Sequence, residues 1–184
     1  MRTISGGALK LSGLVAALAC LTLVGGWPAG AAAQQDDKPK APKSVEVQAY
    51  VILASKGEVE HVDPALKELA ELLQKRFKDQ FNRFRLYKQP HDEVKLDKAS
   101  YLALAEAYYL KVNYTGVTTG QPEMVKLTLT VVKRIAETAG GKTETREVTV
   151  GAPLSINVVR GKFILIGGPA IGQETMILAV RVVK

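Results

Sequence analysis

The sequence predicts an α+β domain, either a mostly antiparallel β-sheet or a β-sandwich of seven to nine strands, with one amphipathic helix near the N-terminus. From Val45 onward, apolar residues recur mainly at every second position, which is the period of a half-buried strand. One stretch after Asp63 follows the helical period instead. Turn-forming segments such as TGVTTGQP and AGGK separate the strand-like runs.

The first 33 residues differ in composition from the rest of the chain. Arg2 and Lys10 are their only charged residues, and an apolar run follows over residues 11–24. A short apolar run behind a basic start, followed by small residues at 31–33, is typical of a secretory signal peptide and too short for a comfortable membrane span. We therefore expect residues 1–33 to be a signal peptide cleaved after Ala33, with export to the periplasm or beyond and no membrane span in the mature protein.

The mature chain left by this cleavage contains no cysteine, because the one cysteine, Cys20, lies in the apolar run. Disulfides, thiolate metal sites and cysteine nucleophiles are therefore not expected. Residues 34–44 read QQDDKPKAPKS, which is typical of a flexible polar linker, and residues 45–184 follow as a single β-rich globular domain. Without Arg2 and Lys10 the 25 basic residues fall to 23 against 18 acidic ones, a mild net charge of +5. The basic residues are largely scattered, so we expect no nucleic-acid partner.

The first strand is predicted from Val45 to Leu53, with Ile52 as the exception to its alternation. Asp63 suits the N-cap of a helix and Pro64 suits the first helical position, so a helix should begin there. Its apolar stripe has helical spacing and consists of Leu66, Leu69, Ala70, Leu73 and Phe77.

Beyond Gln89 the chain reads as successive strands. Alternating apolar residues predict them around 94–96, 108–114, 125–131, 154–158 and 176–182, with KFILI before the last. KTETREVTV reads as a thin polar strand at a sheet edge, and GGP, residues 167–169, as a hairpin with a glycine at positive φ. Residues 100–107 fit a helical turn as well as a strand entry.

The segment KRFKDQFNRFRLYK, residues 75–88, comes closest to a functional surface. Its phenylalanines continue the leucine stripe of the helix and then alternate along a strand, which favours a role in the core with the cations at the solvated edge. The alternative is a surface that grips a polyanion, such as an anionic lipid or glycan. Its cations would be Lys75, Lys78, Arg83, Arg85 and Lys88.

Two histidines lie among acidic residues, His61 in EVEHVD and His91 in PHDE. Neither cluster has the spacing of a known metal motif, so we expect no metal and no cofactor. The nucleophile motif G-x-S-x-G is absent, and no pair of carboxylates stands out, although two distant strands can supply such a pair. An enzyme is therefore the less favoured class, and no catalytic residue can be named.

Three sequence segments in order, HVDPALKELAELL, FRLYK, and GGP before TMILAVRVV, resemble a group of small uncharacterised exported bacterial proteins. The resemblance covers nearly the whole mature chain. It implies a β-rich domain behind a signal peptide, and it implies no catalytic residues.

These features favour a non-enzymatic binding or assembly module of the bacterial envelope, with a sheet face or edge as its contact surface. Its partner would be an envelope protein or an anionic surface polymer. One alternative is a small hydrolase that uses carboxylates and one histidine. The other is a polyanion binder acting through residues 75–88.

Overall fold

The computed structural model describes residues 41–139 and 142–184, and these residues form mostly β-structure in two sheets. The predicted signal peptide and residues 34–40 of the predicted linker lie outside the described residues. The strands are β1 (Ser44–Ser55), β2 (His61–Val62), β3 (Arg83–Lys88), β4 (His91–Lys95), β5 (Ala99–Ala103), β6 (Tyr108–Val117), β7 (Met124–Ala139), β8 (Lys142–Val159), β9 (Ile164–Ile171) and β10 (Glu174–Val182).

Sheet A has the order β2-β3-β1-β10-β9, and β4 pairs with the first half of β1 while β3 pairs with the second half. Sheet B has the order β5-β6-β7-β8. Every strand pair is antiparallel except β2 with β3. The predicted mostly antiparallel β-structure is thus confirmed, although the described residues contain ten strands, more than the seven to nine predicted.

The two sheets enclose one apolar core, and the central strand β1 contributes to it with every second residue. Val47, Val51 and Leu53 of β1 belong to this core together with residues of β10 and sheet B. Ile52 and Ala54, on the other face of β1, belong to a second core beneath the helical segment. Because both faces of β1 are covered, its burial stops alternating after Gln48, which explains why Ile52 breaks the sequence pattern.

The helical segment begins at Pro64 as predicted, but it is not one continuous α-helix. The chain instead forms a 3₁₀ helix, Pro64–Leu66, and after it one short α-helix, α1 (Ala70–Phe77). Between them Leu69 N–H donates to the carbonyl of Leu66, a bond between residues three apart. Tight winding of this kind also aligns residues three apart, so Leu66 and Leu69 both reach sheet A. The three-residue spacing in the sequence fits either winding.

Asp63 is the N-cap, as the sequence predicts, and it also holds the segment to sheet A. Its Oδ1 accepts from the Ala65 N–H at 2.9 Å. Its Oδ2 accepts from the Leu86 N–H of β3 at 3.2 Å. One carboxylate therefore fixes the start of the 3₁₀ helix on the strand beneath it.

Strand β8 is continuous, whereas the sequence predicts two separate strands over this stretch. The polar stretch KTETREVTV, which the sequence predicts as an edge strand, does lie at the edge of sheet B. In β8, Val150 pairs with Val131 and Leu154 pairs with Leu129 of β7. Three residues of β8, 151–153, therefore lie opposite the single residue Thr130 of β7. Gly151 (φ 81°) and Pro153 therefore bend one strand through a bulge instead of ending it.

The predicted hairpin at residues 167–169 is wrong as well. Gly167 and Gly168 lie inside β9, and the turn to β10 is made by Gly172, whose φ is 59°. Gly168 sits in a bulge opposite Met176, where a Cβ atom would lie 3.0 Å from the Met176 carbonyl oxygen. A glycine is needed there for close approach of two strands and not for positive φ.

The ambiguous residues 100–107 contain most of strand β5, followed by a turn with Glu106 at positive φ. The last residues of the predicted linker join the domain: Ser44 begins β1, and the Lys43 carbonyl accepts from Leu96 N–H at 2.9 Å. The hydroxyl of the fully buried Tyr114 donates to the Pro42 carbonyl at 3.1 Å. Burial raises the pKa of this phenol above its ordinary value.

Candidate functional site

The apolar side chains of residues 75–88 lie in the core between sheet A and the helical segment, as the sequence predicts. Phe84 is fully buried, and Phe77, Phe81 and Leu86 are partly buried against the same cluster. Tyr87 is 47% exposed. The aromatic residues of this segment are therefore mainly structural.

The five cations predicted as one polyanion surface lie on two sides of sheet A. Lys75 and Lys78 lie on or directly after α1. Arg85 pairs with Leu53 and Lys88 with Val51, and both partners face the core between the sheets. Cross-strand partners share a face, so the β3 cations, Arg83 included, point away from α1. The structure thus divides the five cations into two groups, and binding of a polyanion stays a prediction.

His61 lies near the β3 cations in a surface pocket of ≈ 240 Å³. The pocket is also lined by Arg83, Arg85 and Glu174. Arg85 Nη2 donates to Glu174 Oε2 at 2.9 Å, and the histidine itself is exposed. The acidic group of this pocket is therefore already paired with an arginine.

His91 shares a surface pocket of ≈ 380 Å³ with three carboxylates, Glu46, Asp92 and Glu93. Ser44 donates to Glu93, and Ser100 donates to Asp92. Lys184 Nζ lies 3.8 Å from Glu46 Oε2. Within residues 41–139 and 142–184, no three histidine, cysteine or acidic side chains are grouped to hold a metal ion.

A third pocket lies between α1 and the first residues of β9, and at ≈ 640 Å³ it is larger than either histidine pocket. We call it the α1–β9 groove. It is lined by Leu72, Lys75 and Arg76 from α1 and by Phe163, Ile164 and Leu165 from the β9 side. Leu69 and Leu73 of the helical segment point into the core, whereas Leu72 is 43% exposed at the groove. The groove is thus an apolar surface with two cations on its helical side.

Phe163 is held in place by its neighbours. Its ring packs edge-on against Tyr50, with the ring centroids 5.4 Å apart at 81°. The guanidinium carbon of Arg181 lies 4.7 Å from the centre of the Phe163 ring. Arg181 is itself bound by Gln48 at 2.7 Å and Glu68 at 3.2 Å. The wall of the groove on the β9 side is therefore held in place by contacts within the domain.

Strand β9 is the edge of sheet A on this side. Within the described part of the chain no strand pairs with its outer side, so backbone donors and acceptors of alternate residues face outward there. The bulge at Gly168 and the missing N–H of Pro169 interrupt the second half of the edge. Regular pairing is therefore available at residues 164–166, beside the groove.

Sequence reasoning missed the groove because its lining residues are distant in the chain. Leu72 offers one signal, since it lies outside the apolar stripe that runs through Leu69 and Leu73. Phe163, the one phenylalanine outside residues 75–88, has no local pattern that links it to the helix.

No helix in the described residues combines the length and the apolar character needed to cross a membrane. Comparison of the chain with protein-family models, with curated proteins and with solved structures gives no match.

Proposed function

We propose that this chain is an exported, non-enzymatic binding or assembly module of the bacterial envelope. Its contact surface is the α1–β9 groove together with the β9 edge, and its ligand is an extended, apolar and acidic segment of a partner protein. The observation that carries the proposal is the 43% exposure of Leu72 directly beside a sheet edge that no strand of the described residues pairs with.

An extended peptide is favoured by the combination of an edge strand with a neighbouring helix. A peptide that adds to a sheet edge gains backbone hydrogen bonds, and its alternate side chains enter whatever pocket lies beside that edge. Here residues 164–166 offer the edge, and the space between Leu72 and Phe163 offers the pocket. The interruption at Gly168 and Pro169 limits the paired stretch to a few residues.

The acidic character of the ligand follows from Lys75 and Arg76. Both are exposed, and neither lies within ion-pair distance of a carboxylate among the described residues. An acidic side chain or a terminal carboxylate of the peptide would fit between them, and arginine can bind it through two parallel hydrogen bonds. A bound peptide would cover the apolar surface around Leu72 and displace water from it, which strengthens this contact.

The test uses short peptides in which valine alternates with glutamate, and matched peptides with lysine in place of glutamate. Titration followed by backbone NMR should shift the amides of residues 164–166 with the glutamate peptide and not with the lysine peptide. Leu72→Asp should abolish the shifts, because it places a charge on the apolar floor. Val59→Asp is the matched control, since Val59 is 72% exposed and does not line the groove.

Equal response to both peptides, or unchanged binding by Leu72→Asp, would reject the proposal. Binding to anionic-lipid vesicles without any peptide response would favour the polyanion alternative instead.

The hydrolase alternative has one observation in its favour, the pocket that His91 shares with Glu46, Asp92 and Glu93. His91 is exposed, and hydroxyl groups already donate to two of these carboxylates. Catalytic acids and bases are usually tuned by burial, so this arrangement supports an enzyme less well than the groove supports a binding module. The enzyme would become the favoured hypothesis if the wild type hydrolysed activated esters and His91→Gln did not.

A further inference from the structure

The β7–β8 hairpin extends beyond the rest of sheet B. The last pair between β6 and β7 is Tyr108 with Lys133, while β7 and β8 continue to pair as far as Ala139 and Lys142. We call residues 134–139 and 142–148 the arm. Beyond Arg134 the described side chains of the arm are exposed on both faces. Two-stranded ribbons are only marginally stable in water, so the arm gains stability if further strands are added to it.

The outer edge of β8 is open for such an addition. β8 pairs with β7 on one side, and within the described residues no strand pairs with its other side. Residues 142–150 contain neither proline nor glycine, whereas the edge strand β9 carries both. Natural edge strands are commonly blunted by proline, bulges or charges, and over this stretch of β8 only charges are present.

Those charges are complementary to a second copy of the same strand. In an antiparallel pair of two β8 strands centred on Thr145, Glu144 of each copy faces Arg146 of the other. Thr145 then faces Thr145, and Thr143 faces Glu147. Opposite charges directly across a strand pair stabilise it, and like charges destabilise it.

Neighbouring registers are unfavourable. Moving the centre by one residue towards either end of the strand places Glu144 opposite Glu144, or Arg146 opposite Arg146. A register that pairs odd-numbered with even-numbered residues would place side chains from opposite faces of the ribbon across from each other, and cross-strand partners must share a face. Of the three registers centred on residues 144, 145 and 146, the Thr145-centred one is therefore the one that pairs opposite charges.

We propose that two copies of this chain associate through their arms, with β8 pairing antiparallel to β8 about Thr145. The result is a four-stranded ribbon in the order β7-β8-β8-β7, which contains two Glu144–Arg146 pairs between the copies. The occupant of the β8 edge is thus a second copy of this chain.

The test is sedimentation equilibrium of the purified chain over a range of concentrations. The wild type should form a dimer, and Arg146→Glu should weaken the dimer about tenfold or more, because two attractive pairs become repulsive. Glu144→Arg should weaken it similarly. Combining Glu144→Arg with Arg146→Glu should restore dimerisation, since the opposite charges face each other again.

Glu144→Arg also distinguishes a loss of dimerisation from a loss of folding of the arm. Within one chain Glu144 pairs with Glu137, so this change removes a like-charge contact and should not destabilise the arm itself. Lys126→Glu is the control, since Lys126 is exposed on β7 outside the arm and should leave the dimer unchanged. A wild type that stays monomeric at every concentration, or a double variant that fails to recover, would overturn the proposal.

Discussion

Arg134 and Glu147 face each other at the base of the arm, and two nitrogens of the arginine donate to one carboxylate oxygen. Nε and Nη2 lie 3.1 and 3.0 Å from Glu147 Oε1. The guanidinium carbon lies 4.3 Å from the ring centre of Tyr109 and 4.8 Å from that of Tyr101. Each strand of sheet B thus contributes one residue to this row. The hydrogen bonds with Glu147 raise the pKa of Arg134 above its ordinary value.

Arg134→Lys should loosen the arm without unfolding the domain. Lysine keeps the charge but loses the paired hydrogen bonds and the flat surface that stacks on both tyrosines. Hydrogen exchange of amides in residues 135–138 and 143–147 should become faster, while exchange in β1 stays unchanged. Lys126→Arg serves as the control, and equal exchange in both variants would show that the row does not hold the arm.

Phe84→Ala should reduce the free energy of unfolding by about 3–5 kcal/mol, because Phe84 is only 1% exposed in the second core. Phe77→Ala should cost less, about 1–2 kcal/mol, because part of its ring already contacts water. Urea denaturation measures both changes. Equal losses of unfolding free energy in the two variants would contradict the partial burial of Phe77 at the end of α1.

Asp63→Ala should destabilise the domain by about 1–2 kcal/mol, since it removes two hydrogen-bond acceptors, one for Ala65 and one for Leu86. Asp63→Asn keeps one acceptor oxygen and should lie between alanine and the wild type in a thermal melt. A chelator should not change the melting temperature. A large downward shift with chelator would instead identify a bound metal ion.

Gly168→Ala should reduce the free energy of unfolding by about 1–3 kcal/mol, because the new methyl group meets the Met176 carbonyl oxygen and side chain. Gly167→Ala is the matched control next to it. No atom lies within 4 Å of a Cβ at Gly167, so its effect should stay within about 0.5 kcal/mol. A reversed order of the two effects would contradict the bulge.

Tyr114 should make stability fall at alkaline pH. Its pKa is raised in the folded protein, so the unfolded chain releases the phenolic proton first, near pH 10. The contribution is fully present below that pH and is lost as pH rises towards the folded pKa. Tyr114→Phe should flatten the decline measured by urea denaturation between about pH 9.5 and 11. An unchanged slope would exclude Tyr114 as the cause.

Local sequence patterns predict the elements that depend only on residues close together in the sequence. Val47, Val51 and Leu53 reveal β1 by alternation, and Asp63 with Pro64 reveals the cap. The hairpin predicted at residues 167–169 and the strand end predicted before Gly151 are both bulges, because a glycine in a bulge and a glycine in a turn look alike until the partner strand is known.

The candidate sites depend on long-range packing, which local patterns do not encode. Lys75 and Arg85 lie close together in the sequence, but the alternation of β3 places Arg85 on the far side of sheet A. Leu72 and Phe163 are distant in the sequence and meet only because the helical segment packs beside β9.

The pairing of β1 with β10 also sets the order in which the domain can fold. It places Val47 opposite Val182, so the central contact of sheet A joins the first and last strands of the described chain. Both strands supply residues to both cores. The entropic cost of closing so long a loop must be met before either core can form, which makes folding slow compared with that of domains built from local contacts. Neither core is complete until β10 has been synthesised and has joined β1.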